Sequence, residues 1–138
     1  MHPITPEGIV ARLVSPDGKR LVVWAPDDGP HGKYYLSDLD GGRATPIAGL
    51  GLGDEPIRWS DDGRALYVRG SGDFDTNIYR IDLSKETRTL WKEIEPDPVG
   101  LLGVEVKPGG ILITPDGKFY VYTYWTYLGA LVLIEGLR

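Results

Sequence analysis

Three runs along this chain share one alternation of apolar and polar letters: VSPDGKRLVVW (14–24), WSDDGRALYV (59–68) and ITPDGKFYVYTYW (113–125). In each, an Asp-Gly pair separates two apolar segments, which signals a tight hairpin, because glycine takes the backbone conformation the turn demands. The pattern predicts first strands at 9–14, 55–59 and 110–113 and second strands at 19–25, 64–69 and 118–125. Third strands follow as KYYLSDL (33–39), NIYRIDL (77–83) and ALVLIEG (130–136), each carrying an acidic residue, Asp38, Asp82 or Glu135. Fourth strands are expected at 43–48 and 87–93, and only Gly136, Leu137 and Arg138 remain to supply one in the third unit.

A sheet with one wet face would alternate apolar and polar residues, but the second strands are apolar on both faces. Leu21 and Val23 oppose Val22 and Trp24; Leu66 and Val68 oppose Ala65 and Tyr67; Phe119, Val121 and Trp125 oppose Tyr120, Tyr122 and Tyr124. Every sheet therefore expects a neighbour on each side.

The turn aspartates Asp17, Asp62 and Asp116 stand 45 and 54 residues apart. The first spacing matches the ~40–45 residues of a four-stranded propeller blade. The extra nine fall most naturally in EPDPVGLLGVEVKPGG (95–110), whose prolines and glycines suit an extended loop. The expected fold is all-β, with three four-stranded blades at about 8–49, 50–95 and 96–138. SPDGKRLVVW followed by YYLSDLDGG resembles the repeat of the TolB-like, or WD-like, β-propellers, and TPDGK (114–118) repeats it closely; Asp61 replaces the proline in the second unit. The ending LVLIEGL is also similar to the C-terminal blades of some bacterial receptor-type serine/threonine kinases. No kinase motif is present, so that resemblance implies a sensor or docking part.

An open arc of three blades would leave an apolar face at each end. The expected resolution is a homo-oligomer, most simply a homodimer closing a six-bladed ring; more chains in a larger ring, or further blades in a longer protein, are the alternatives. Residues 1–7 precede the first strand and are a candidate closing strand for the partner's third unit, with Pro3 and Pro6 tolerated at an edge.

Composition narrows the function classes. Twenty acidic against fifteen basic residues, a net charge of −5, is the wrong sign for phosphate binding, so no nucleic-acid partner is expected. No run of about 18 apolar residues and no signal-peptide pattern at MHPITPEG occur, so no membrane partner is expected and the default location is cytoplasmic. Zero cysteines exclude disulfides, thiolate metal sites and a cysteine nucleophile.

The loops APDDGPHG (25–32) and GSGDFDTN (70–77) are acidic, and in a propeller they share a face with GLGLGDE (49–55) and the 95–110 segment. That face collects the candidate ligand-binding residues Asp27, Asp28, His31, Asp54, Glu55, Asp73 and Asp75, joined by Glu95 and Asp97. The opposite face carries Lys19, Arg20, Arg43, Arg64, Lys85 and Lys118. Such polarity would steer a basic partner or a cation, although solvated turns explain the same letters. Asp73-x-Asp75-x-Asn77 begins like a calcium loop and then breaks, with Ile78 where glycine and Ser84 where glutamate belong. No metal or other cofactor is expected. His31 in a Gly/Pro turn reads as solvent-exposed, and the aromatic run 120–127 reads as core packing rather than a stacking surface for a sugar or base. No Gly-x-Ser-x-Gly, His-Glu-x-x-His or phosphate-cradling loop occurs. The leading expectation is a non-catalytic binding module for a protein or small ligand. The alternatives are a small lactonase-like hydrolase with carboxylates in the channel of the assembled ring, and a remnant of a kinase-linked sensor.

Overall fold

The computed structural model describes residue 5 and residues 7–26, 32–40, 42–71, 76–94, 104–105, 110–122 and 125–126. Within them, strands are the only regular secondary structure, and no helix is long and apolar enough to cross a membrane. The first sheet runs in order β1 (Val10–Val14), β2 (Arg20–Ala25), β3 (Lys33–Asp38), β4 (Thr45–Pro46). The second repeats that order with β5 (Glu55–Trp59), β6 (Ala65–Arg69), β7 (Thr76–Asp82), β8 (Thr87–Ile94). The third pairs β10 (Ile111–Ile113) with β11 (Tyr120–Tyr122); a two-stranded sheet joins β9 (Val104–Glu105) to β12 (Trp125–Thr126). All pairings are antiparallel.

One turn is built three times. The Gly18 amide donates to the Ser15 carbonyl and the Ser15 amide to the Arg20 carbonyl, both at 2.9 Å, with the same bonds at Ser60 and Thr114. The loop thus holds four residues, wider than the two-residue hairpin that Asp-Gly alone suggests. Gly18, Gly63 and Gly117 stand at φ 69°, 66° and 68°, which a side chain would strain. Inside each turn a hydroxyl donates to the aspartate: Ser15 to Asp17 at 2.5 Å, Ser60 to Asp62 at 2.6 Å, Thr114 to Asp116 at 2.6 Å. The same carboxylates accept the amides of Lys19, Arg64 and Lys118. Asp61 stands where the other two turns have proline and the same turn bonds form, because the first central position of such a turn accepts most residues.

Register assigns the two faces of each sheet. Leu13, Val22 and Leu36 are cross-strand partners and look toward the second sheet; Val14, Leu21 and Ser37 look away. In the second sheet Trp59, Leu66 and Ile81 look back at the first, while Arg58, Tyr67 and Arg80 look toward the third. We call the face turned to the next sheet in chain order the forward face. Two cores result. Val22 and Ile47 pack with Trp59, Leu66, Val68 and Ile81 at the first junction; Tyr67, Ile78 and Ile94 pack with Ile111 and Ile113 at the second. Trp91 joins the second core, its ring edge 5.0 Å from Tyr67 and 5.9 Å from Tyr120. Apolar letters on both faces of β6 are thereby explained: Ala65, Leu66, Tyr67 and Val68 are all buried.

Four expectations change. The second strand expected at 118–125 is split, with β11 ending at Tyr122 and Trp125–Thr126 pairing with Val104–Glu105. The segment 95–110, expected as loop, therefore contributes a strand, prolines and glycines notwithstanding. The outer face of the first sheet was expected to be open in a lone chain, yet Leu21 and Val23 are buried, whereas Phe119 and Val121 on the forward face of the third sheet are exposed. The aromatic run was expected to pack; Tyr120 and Tyr122 do join the second core, and Val121 between them does not. The third strand expected at 130–136 lies outside the described residues, as do residues 1–4 and 6 of the candidate closing strand; Thr5 and Glu7 lie in a bend and a turn.

Candidate functional site

The end of the β4–β5 connection and the first residue of β5 carry the two candidate carboxylates that the structure describes, Asp54 and Glu55, in different surroundings. Asp54 is 5% exposed. Its carboxylate accepts the Gly51 amide at 2.6 Å and the Ser71 amide at 3.2 Å, and is ion-paired to Arg88 of β8. Arg88 also donates to the Gly49 carbonyl at 2.9 Å and stacks over the Tyr79 ring at 3.7 Å. Burial pulls the Arg88 guanidinium down, and the Asp54 and Tyr79 contacts outweigh it, holding the group above its ordinary value. Asp54 is therefore a strut that ties the connection to β8 and to the residue that follows β6, with three bonds on its two oxygens. Glu55 takes a bond from Arg69 at 2.9 Å, with both side chains about a quarter exposed.

Beside this strut lies an open cavity of about 590 Å³ between the first and second sheets. Its walls include Arg12, Trp24, Tyr34, Tyr35, Leu50 and Arg69. A local backbone irregularity aims one of them. β1 carries a register shift between Ala11 and Leu13, and β5 a matching one between Pro56 and Arg58. Such bulges re-aim a side chain: Arg12 turns into the cavity, and its counterpart Ile57 turns into the second core. Gly32, at φ 64°, lies against the Trp24 indole so closely that any side chain there would collide with it. Burial lifts the Tyr34 phenol above its ordinary value, against the opposing pull of Arg12.

Asp54 and Glu55 are thus brought together at the rim of one cavity. Asp27, Asp28, His31, Asp73, Asp75, Glu95 and Asp97 lie outside the described residues. Among the described residues no group of three His, Cys, Asp or Glu side chains is placed to hold a metal ion. Arg20, expected on the opposite face with the other cations, sits in the first junction, donating to the Gly63 carbonyl at 2.5 Å over the Trp59 ring. Sequence reasoning missed Arg12, Trp24, Tyr34 and Arg88. For Arg88 a signal exists: it pairs with Ile81, so it falls on the core-facing phase of an outer strand, where a cation needs a partner.

No protein-family model matches the chain, and no curated protein matches it. Among solved structures it is similar to TolB from Acinetobacter baumannii, with a TM-score of 0.57 and 22% identity over 85% of this chain. The match spans 27% of that TolB chain. With the repeated antiparallel sheets stacked face to face, it shows that this chain has a TolB-like β-propeller fold.

Proposed function

We propose that the chain is a non-catalytic binding module built of three WD-like blades, which offers the cavity between its first two sheets to a protein or small ligand. The observation that carries this reading is the pairing of that cavity with carboxylates engaged in structural bonds. Trp24, Tyr34 and Tyr35 give it the aromatic walls common in binding pockets, while Asp54 is held by an arginine and two amides and Glu55 by an arginine. A carboxylate working as nucleophile or base needs a free lone pair aimed at substrate. A fragment screen followed by amide and indole NMR shifts tests it. Shifts expected at the Trp24 indole and Tyr34, weakened by Tyr34→Ala, support binding; turnover of lactones or esters that Asp54→Asn abolishes would establish a hydrolase instead.

The same module works, in this reading, as a closed homo-oligomer, most simply two chains forming a six-bladed ring. The two-faced apolar strands support it, since each junction here buries both partners.

A further inference from the structure

The cavity between the first two sheets carries a charge opposite to the one its surroundings predict. Sequence places an acidic face around the 49–55 connection, one that steers a basic partner or a cation. The walls instead hold Arg12, Lys33 and Arg69 against Asp54 and Glu55. Both carboxylates already hold an arginine, Asp54 that of Arg88 outside the lining and Glu55 that of Arg69. The described lining is therefore positive, on a chain whose net charge is −5.

Arg12 decides what that charge can hold. It is not ion-paired to a carboxylate among the described residues, and the register shift in β1 turns it into the cavity. Beside it stands the Tyr34 phenol. Burial raises the value at which that phenol loses its proton, and Arg12 offsets only part of the rise, so the group stays protonated at neutral pH and remains a hydrogen-bond donor. A guanidinium and a phenol side by side match the two oxygens of a carboxylate, which accepts from both. An ammonium group, having only donors, satisfies neither.

Apolar surface lies alongside. Trp24 and Tyr34 are cross-strand partners on one face of the first sheet, and Gly32 backs the indole so closely that no side chain fits between them. Ile47 and Leu50 continue the wall. At about 590 Å³ the cavity falls within the ~300–1,000 Å³ of small-molecule sites and has room for a bicyclic ring beside one carboxylate.

We propose that this cavity binds a small carboxylic acid with a flat apolar body, its carboxylate on Arg12 and the Tyr34 hydroxyl and its ring against Trp24. The inference rests on the binding-module reading and names the ligand class of the same site.

Three probes share one ring and differ in charge: indole-3-propionate, its neutral amide and tryptamine. Titrating each into the full chain and following amide and indole NMR shifts should place the acid at Trp24 and Tyr34. Its affinity should exceed the amide's by about tenfold or more, as charge-assisted bonds require, with tryptamine the weakest. Arg12→Gln, at an exposed position, should keep the strand circular dichroism and bring the acid down to the level of the amide; a preference that survives it refutes the assignment. Lys118→Gln, on an exposed turn of the third sheet, should leave the preference intact, and an equal loss there would mean that overall charge sets it rather than the site. Acid and amide binding alike, or tryptamine binding most tightly, would overturn the ligand class and leave the binding-module reading intact. Displacement of the acid by inorganic phosphate as readily as by acetate would mean that the cavity reads charge alone, and would overturn the carboxylate. If no probe shifts Trp24 or Tyr34 the inference fails, and the broader fragment screen then decides the module reading on its own.

Discussion

Replacing Arg88 by alanine should destabilise the chain out of proportion to its partly exposed position. The guanidinium is 27% exposed, but its partner Asp54 has only 3% of its side chain in water. Breaking a buried ion pair from one side costs about 3–5 kcal/mol, because the remaining charge is stranded. Here the stranded carboxylate keeps the Gly51 and Ser71 amides, which offsets part of that cost. The bond to the Gly49 carbonyl and the stack on Tyr79 are lost as well. A net loss of about 2–3 kcal/mol follows. Urea unfolding read by tryptophan fluorescence, at fixed protein concentration, measures it as a midpoint lowered by about 1–2 M for a slope near 1.5 kcal/mol/M. Asp54→Ala should cost less, about 1–2 kcal/mol, since the arginine left behind reaches water and only two amides lose an acceptor. The double variant should cost less than the two single losses combined. A loss below about 0.5 kcal/mol for Arg88→Ala, the range of an ordinary surface pair, would refute the strut.

Other outcomes follow from the turns and cores. The carboxyls of Asp17, Asp62 and Asp116 are held below 3.8, first by the neighbouring hydroxyl and then by a backbone amide. Groups whose folded value is depressed contribute stability above the unfolded value and lose it as pH falls through the folded one. Ser60→Ala should therefore lower Tm more at pH 7 than at pH 3, and the deficit should hold between pH 7 and 5; a deficit independent of pH down to 3 would contradict the hydroxyl–carboxylate account. Gly117→Ala forces a side chain into positive φ and against the Tyr67 hydroxyl, and should cost at least about 1–2 kcal/mol. Adding Tyr67→Phe should recover part of that in the same urea assay, and no recovery would mean the two do not meet. Leu66→Ala, fully buried in the first core, should cost about 2–5 kcal/mol, whereas a loss under 1 would place that side chain outside the core.

What the letters revealed was set by local chemistry. Asp-Gly turns announce themselves because few residues tolerate the φ of Gly18, Gly63 and Gly117, and β2 and β6 are legible because apolar residues on consecutive positions require cover on both faces. Pairing of Val104–Glu105 with Trp125–Thr126 was hidden, since two-residue strands carry no periodicity and proline-rich flanks argue against them. Asp54 read as a solvated loop acid because its cation lies 34 residues later on a different element. Only register brings them together. The bulge that aims Arg12 into the cavity was equally silent, for a one-residue shift leaves no mark in composition.

Light scattering of the full chain at micromolar concentration, paired with thermal unfolding on the same sample, tests the central claim most directly. A repeat propeller that closes by self-association should show a concentration-dependent rise to twice 15.2 kDa, with Tm rising alongside. A 15.2 kDa species that unfolds cooperatively at a Tm independent of concentration would contradict it.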